Sequence, residues 1–422
     1  MENTLHREEA DRDARFSNSP TISVTLERMN SARVLLAAYA LGWLLIRLAS
    51  GATPVDWLKV SLNVEDNAVA TVDPQSGEEI IATERSATLS LSGVRDSYAY
   101  IVEESDNLLD WTERYRFNGE PNQVSLVQQL VPFERGFIRL RLAEKPAIPT
   151  GFALIPAGTF LMGSPTQEPG RGNDETLHEV TLTRGFHMSE TEVTWSEWND
   201  VRDWAINNGY EDLAVGRNGR NGNESGRHPV TEISWFNAIK WCNARSEMEG
   251  RIPAYYLSDT FETRNVFRMG SSEPFVNWNA EGYRLPTEAE WEGACRAGAA
   301  TAFQSGAITH TDLSPIDPNL DAVGWYGGNS ESNTHETGSK APNFFGLYDM
   351  HGNVREWCWD WYGPYEASST DPKGEDNGTI RVFRGGSWAE TAQKCRSASR
   401  DGFSPHPATD NYGLRVVINS DS

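Results

Sequence analysis

The residues that could do chemistry are few and widely spaced. Four thiols, Cys242, Cys295, Cys358 and Cys395, occur without a Cys-x-x-Cys pair, which excludes a zinc ribbon or a thioredoxin-type dithiol. The eight histidines include no His-Glu-x-x-His segment and no close pair, which argues against a histidine zinc site as well. The segment RGGSWAETAQKCRSASR, residues 384–400, carries a hydroxyl (Ser387), a carboxylate (Glu390) and a single thiol (Cys395). Ser387 lacks the Gly-x-Ser-x-Gly elbow of a serine nucleophile. Arg384, Arg396, Arg400 and Arg415 either line one cleft for an acidic or peptide ligand or neutralise buried carboxylates. In YDMHGNVREW a Gly-Asn turn separates Asp349 from Glu356. Such a turn can fold both carboxylates toward one Ca²⁺, which takes six to eight oxygens in flexible geometry. The same spacing also suits two solvated carboxylates.

Short helices and strands must position these groups. Thr194 with Glu197, and Thr287 with Glu290, fit the capping box, in which hydroxyl and carboxylate satisfy free backbone N–H groups reciprocally. Ser234 can cap a third helix, on which Trp235, Ala238, Ile239 and Cys242 form one apolar stripe. Gly298 is a fitting stop for the helix that starts at Glu288. Residues 300–419 are rich in Gly, Asn, Ser and Pro, and loops of that length need pinning by ions, disulfides or buried tryptophans. Upstream, SLNVE, ATLSLSG, AYIVEES and GFIRLRL read as strands separated by turns, which predicts a small β-sandwich-like accessory domain over 55–143. A Pro- and Gly-containing linker then leads into one domain over 152–419.

The formal net charge of −23 repels phosphate backbones and argues against a nucleic-acid partner. Residues 34–46 are apolar and bracketed by Arg33 and Arg47, too short a run for the roughly 20 residues of a membrane span. Read from Met29, a basic head, an apolar core and small residues at Ala49, Ser50 and Gly51 follow the plan of a secretory signal. Residues 1–52 are therefore expected to be a leader with its true start at Met29, and the product to be exported to the periplasm or the exterior. The alternative is a membrane anchor and association with the cell envelope.

Seven blocks occur in order: IPAGTFLMGS (155–164), HEVTLTRGFHMSETEVTWSEW (178–198), HPVTEISWFNAIKWCN (228–243), GYRLPTEAEWEGACRAG (282–298), PNFFGLYDMHGNVREWCWDWYG (342–363), RVFRGGSW (381–388) and NYGLRVV (411–417). Together they resemble the formylglycine-generating enzyme, or sulfatase-modifying factor, family. The resemblance implies an α+β fold, C-type-lectin-like, with little regular secondary structure. It also implies an oxidase that converts a cysteine in a Cys-x-Pro-x-Arg segment to formylglycine, with O₂ and a Cu(I) held by two cysteines. Soft thiolates select Cu(I). Here Glu390 stands in the first cysteine's place, no second thiol follows at the right distance, and Arg355 replaces a family tryptophan.

The site around Ser387, Glu390 and Arg400 is therefore expected to be degenerate and copper-free. Arg355, Trp388, Arg396 and Arg415 remain as candidates to line a cleft. The resemblance further implies Ca²⁺ ligands at Asp349, Glu356 and the carbonyls of Gly352 and Val354, with a weaker second loop near Asn319 and Leu320. It implies a Cys295–Cys395 disulfide, against the alternative of two buried free thiols. Two functions follow. One is an exported family member that binds a peptide, protein or glycan without oxidising cysteine. The other is an oxidoreductase that still makes formylglycine or performs a related O₂-dependent oxidation.

Overall fold

The structure is a computed structural model that describes residues 147–420 and, before them, strands between residues 21 and 144. The chain divides into two compact units near residue 145. In the first, β1 (Thr21–Val24), β3 (Lys59–Val72), β4 (Glu79–Ser92) and β7 (Ser125–Leu130) form a four-stranded sheet in the order β1-β3-β4-β7. The strands β2 (Leu35–Ala38), β5 (Tyr98–Ser105), β6 (Thr112–Asn118) and β8 (Gly136–Glu144) form another, ordered β2-β8-β5-β6. All pairs in both sheets are antiparallel. Two of these strands, β1 and β2, fall inside the stretch read as a leader; its remainder, including Met29, lies outside the described residues.

The second unit is α+β with few helices. Its helices begin where the sequence caps them. In α1 (Trp195–Ala205) the Glu197 N–H donates to Thr194 Oγ1 at 3.3 Å, and Glu197 Oε2 accepts from the Thr194 N–H at 2.9 Å. Ser234 and Asn237 make the same reciprocal cap for α2 (Trp235–Met248), and Thr287 and Glu290 for α3 (Glu288–Arg296). The expected stripe of α2 is fully buried, along with Trp241. The α3 helix ends before Gly298, because Ala297 already adopts the left-handed conformation with φ 45°. A fourth helix, α4 (Pro318–Val323), starts at Asp317, whose carboxylate accepts the Asn319 and Leu320 N–H groups. That cap takes up the loop read as a second calcium site; Asn319 itself donates to the Ala307 carbonyl. Among the described residues no helix is long and apolar enough to cross a membrane.

Strands β9 (Phe152–Ile155), β10 (Gly158–Met162), β11 (His178–Leu182) and β12 (Phe186–Ser189) precede α1. The sheet that matters for function comes later. It comprises β13 (Arg355–Trp361), β15 (Arg381–Arg384), β16 (Arg400–Phe403) and β17 (Tyr412–Gly413), in the order β16-β15-β13-β17. Between them in sequence, β14 (Ser368–Thr370) pairs parallel with β11, while β18 (Val417–Asn419) pairs with β12. Alternation along β13 sends Glu356, Cys358 and Asp360 to one face and Arg355, Trp357, Trp359 and Trp361 to the other. Trp357 packs in a core with Trp198, Trp235 and Trp241, the second and fourth of which stack at 5.8 Å.

What pins the long C-terminal loops is a set of buried arginine–carboxylate pairs. Arg384 is held by Glu292, Arg396 by Glu175 and Glu168, Arg400 by Glu288, and Arg415 by Glu356. These four guanidiniums are 6% exposed or less. They do not stand free to line a cleft: each meets a buried carboxylate, and Arg384 also lies 3.8 Å from the Glu288 that holds Arg400. Removing one partner of such a pair costs about 3–5 kcal/mol, because the other charge is left buried alone.

Candidate functional site

The place read as the degenerate metal site lies where β13 begins. Arg355 grips Glu390 through both carboxylate oxygens, with Nε 2.6 Å from Oε2 and Nη2 on Oε1. Its Nη1 lies 3.5 Å from Asp401 Oδ2, and the guanidinium covers the Phe383 ring at 4.1 Å. Ser387 is fully buried and donates its hydroxyl to Glu390 Oε2 at 3.2 Å, while a tight turn carries the Glu390 N–H to the Ser387 carbonyl at 3.1 Å. Trp388 donates Nε1 to the Asp410 carbonyl at 3.1 Å, and the Arg220 guanidinium lies 4.3 Å above its ring. Hard oxygen donors, already neutralised by a guanidinium, stand where Cu(I) would need two thiolates. The residues present do not fit copper.

The thiols lie elsewhere, all buried and all free. The expected Cys295–Cys395 disulfide is not formed. Cys395 sits in a short 3₁₀ turn, Ala392–Cys395, rather than in a strand interior, and its Sγ points to the Thr391 carbonyl at 3.8 Å. It also fits beneath Gly386, where a Cβ would come within 2.6 Å of the sulfur. The residue facing Cys295 is Ser397, two positions on, with Sγ 3.6 Å from Oγ. His351 Nε2 and the Met350 carbonyl complete the surroundings of Cys295, each at 3.8 Å. Burial pushes the Cys295 and Cys395 thiols up to about 12, and raises Cys242 and Cys358 as well. None is a thiolate at neutral pH.

Of the four residues expected to line a cleft, Arg355 and Trp388 lie beside the Ser387–Glu390 turn, but Arg396 and Arg415 do not. Arg396 is 1% exposed and bound to Glu175 at 2.6 and 2.8 Å, and Arg415 is fully buried against Glu356. Arg400, expected at the degenerate site, instead makes a bidentate pair with Glu288 at 2.8 and 2.6 Å.

The turn between Asp349 and Glu356 is tight. Asp349 and Asn353 take left-handed φ values of 58° and 59°, and Gly352 sits so close to the Trp325 carbonyl that a Cβ would lie 2.1 Å from its oxygen. Asp349 is 2% exposed; its Oδ2 accepts the Gly338 N–H at 2.7 Å, and its buried Oδ1 has no partner among the described residues. Glu356 accepts Trp291 Nε1 at 2.6 Å and the Arg415 guanidinium. A third buried carboxylate, Glu192, accepts Asn353 Nδ2 at 2.7 Å and the Val354 N–H at 3.0 Å. Three carboxylates thus share one guanidinium. Burial and the charges of Asp349 and Glu356 hold Glu192 well above the usual range, and burial lifts Asp349 to about 6. The orphaned Asp349 Oδ1 and this surplus of negative charge fit a hard cation. Among the described residues no three acid, histidine or cysteine side chains converge on one point, so a cation here would draw on the carbonyls of Gly352 and Val354.

Two participants were not singled out from the sequence. Glu192 is 161 positions from Asn353, and no local pattern marks it. Asp401 had a signal: it follows Arg400 in a strand, so alternation sends it to the opposite face, toward Arg355.

This is a scaffold of few helices whose expected oxidase centre is closed by an ion pair. The chain belongs to the sulfatase-modifying factor enzyme 1-like domain family, whose family model matches residues 141–420. It is 32% identical over 260 residues to the chaperone protein LppX of Paenibacillus barcinonensis, covering 56% of this chain and 81% of that protein. It is 31% identical over 308 residues to the formylglycine-generating enzyme of Streptomyces coelicolor, covering 66% and 92%. Among solved structures, Treponema denticola variable protein 1 superposes with a TM-score of 0.52 at 30% identity, over 64% of this chain and 95% of that one.

Proposed function

We propose that this chain is an exported, partner-binding member of the family that does not convert cysteine to formylglycine. The observation that carries the reading is that Glu390, read as standing in place of the first copper-binding cysteine, is held by Arg355. Binding of a protein or peptide is favoured by the likeness to a protein named as a chaperone, and by an α+β frame of few helices that carries long loops. Export rests on the apolar run at 34–46 read from Met29. Ca²⁺ bound by Asp349, Glu356 and the carbonyls of Gly352 and Val354 would serve this frame structurally, by balancing the buried carboxylates.

The test is incubation with Cu(I), O₂ and a Cys-x-Pro-x-Arg peptide, read by mass spectrometry. Unchanged peptide supports the binding role. Aldehyde formation supports the oxidoreductase reading suggested by the likeness to the Streptomyces enzyme.

A further inference from the structure

At the far end of β13 from Arg355, beside β11 and β14, lies a cavity of about 510 Å³. Pockets that hold small molecules span roughly 300–1,000 Å³. Part of its wall is the Glu288–Arg400 pair, which is self-neutralising; Tyr365 donates its hydroxyl to the same Glu288 at 3.0 Å. Two other buried groups line the space with an atom that has no protein partner. Asp360, 4% exposed, commits Oδ2 to the Glu288 N–H at 2.7 Å, and its Oδ1 has no hydrogen bond among the described residues. His178, 6% exposed, lies with Nδ1 2.8 Å from the Thr176 carbonyl, and its Nε2 is likewise unbonded. A carbonyl can only accept, so Nδ1 carries the proton, and in the neutral ring Nε2 is an acceptor. His178 Nε2 is therefore free to accept from a donor, and so is Asp360 Oδ1 once its carboxyl is ionised.

The charge of the lining agrees. Glu179, Glu366 and Glu375 stand exposed around the cavity and pair with no described cation, whereas Lys373 lies 4.6 Å over the Trp278 ring. With Asp360 this sets four carboxyl groups against one ammonium, outside the neutral Glu288–Arg400 pair. An anion would be repelled. For a sugar the aromatic platform is reduced, since Arg381 lies 3.4 Å over one face of Trp361 and Arg400 4.0 Å over one face of Tyr365. We infer that this cavity binds a small organic cation, whose ammonium group donates to Asp360 Oδ1 and His178 Nε2 while the rim carboxylates hold its charge. The site is separate from the Arg355–Glu390 pair and does not depend on the function proposed for it.

The test is calorimetric titration of the full chain at about pH 8.5, where burial and the Glu288 charge, which lift Asp360 to about 8, no longer keep it protonated. Putrescine and Nα-acetyllysine amide are the cationic probes, and 1,4-butanediol is the neutral control. One-to-one binding of either amine at least about tenfold tighter than the diol is expected; the tighter amine tells a free amine from a lysine side chain. The exposed double variant Glu366→Gln/Glu375→Gln should fold normally and bind about tenfold more weakly. Asp360→Asn should weaken binding further. No saturation by either amine at millimolar concentration, equal binding of the diol, or wild-type affinity in the double variant would overturn the assignment.

Discussion

Arg355 and Glu390, 35 positions apart in sequence, form a bidentate ion pair at the position read, from the family resemblance, as that of a copper-binding thiol. A guanidinium fork matched to a carboxylate has good geometry, and here both partners are largely shielded from water, with side-chain exposures of 12% and 15%. Replacing Arg355 with Ala leaves Glu390 buried without its partner. The cost should be about 3 kcal/mol, seen as a fall in Tm of roughly 5–10 °C. Glu390→Ala in the Arg355→Ala background should cost little more, with a coupling of about 0.5–3 kcal/mol in the double-mutant cycle. Additive losses would show that the pair does not act as a unit.

The thiols should be silent until the chain unfolds. A thiol with its pKa near 12 is thiolate in about one part in 10⁴ at pH 8, and all four sulfurs are buried. Ellman's reagent at pH 8 should label none in the folded protein and four after denaturation without reductant. Two labels after denaturation would mean that Cys295 and Cys395 had been joined.

Calcium should stabilise the second unit. A ligand that binds only the folded state at about 100 times its Kd adds about 2.7 kcal/mol, a Tm rise of several degrees. Chelation should reverse the rise, and Asp349→Asn, which neutralises the orphaned buried carboxylate, should abolish it. An equal rise in Asp349→Asn would place the ion elsewhere.

Asp360 makes stability depend on pH in the unusual direction. Its pKa is about 8 folded against 3.8 in an ordinary carboxyl, so between those values the folded state binds the extra proton. Its contribution is complete below about pH 4 and is lost as pH rises through 8. Asp360→Asn removes the ionisation, so relative to wild type it should gain Tm at pH 9 compared with pH 5. A difference between the two proteins that is the same at both pH values would contradict the shift.

How much of this was legible in the sequence depended on the range of the interaction. Capping boxes act over three residues, so Thr194, Ser234 and Thr287 gave away three helix starts. The stripe on α2 and the alternation in β13 are equally local. The pinning of the C-terminal loops was not, because Arg396 and Glu175 are 221 positions apart, and either residue alone looks like an ordinary surface charge. The disulfide that the resemblance implied is missed by two residues: the chain makes a 3₁₀ turn at Cys395, and Ser397 faces Cys295 instead. Glu390 was legible as a substitution at a metal position, but Arg355 as its counter-charge required the sheet that brings β13 beside the 387–390 turn.

The most direct measurement is a competition for Cu(I) against bicinchoninate, followed by the colour of its copper complex. With Glu390 and Arg355 paired and every thiol buried, the protein should leave the complex intact at equimolar concentration, and Glu390→Cys, still lacking a second sulfur, should do the same. Withdrawal of one equivalent of Cu(I) by the wild-type protein would contradict the claim that this pocket no longer holds the metal.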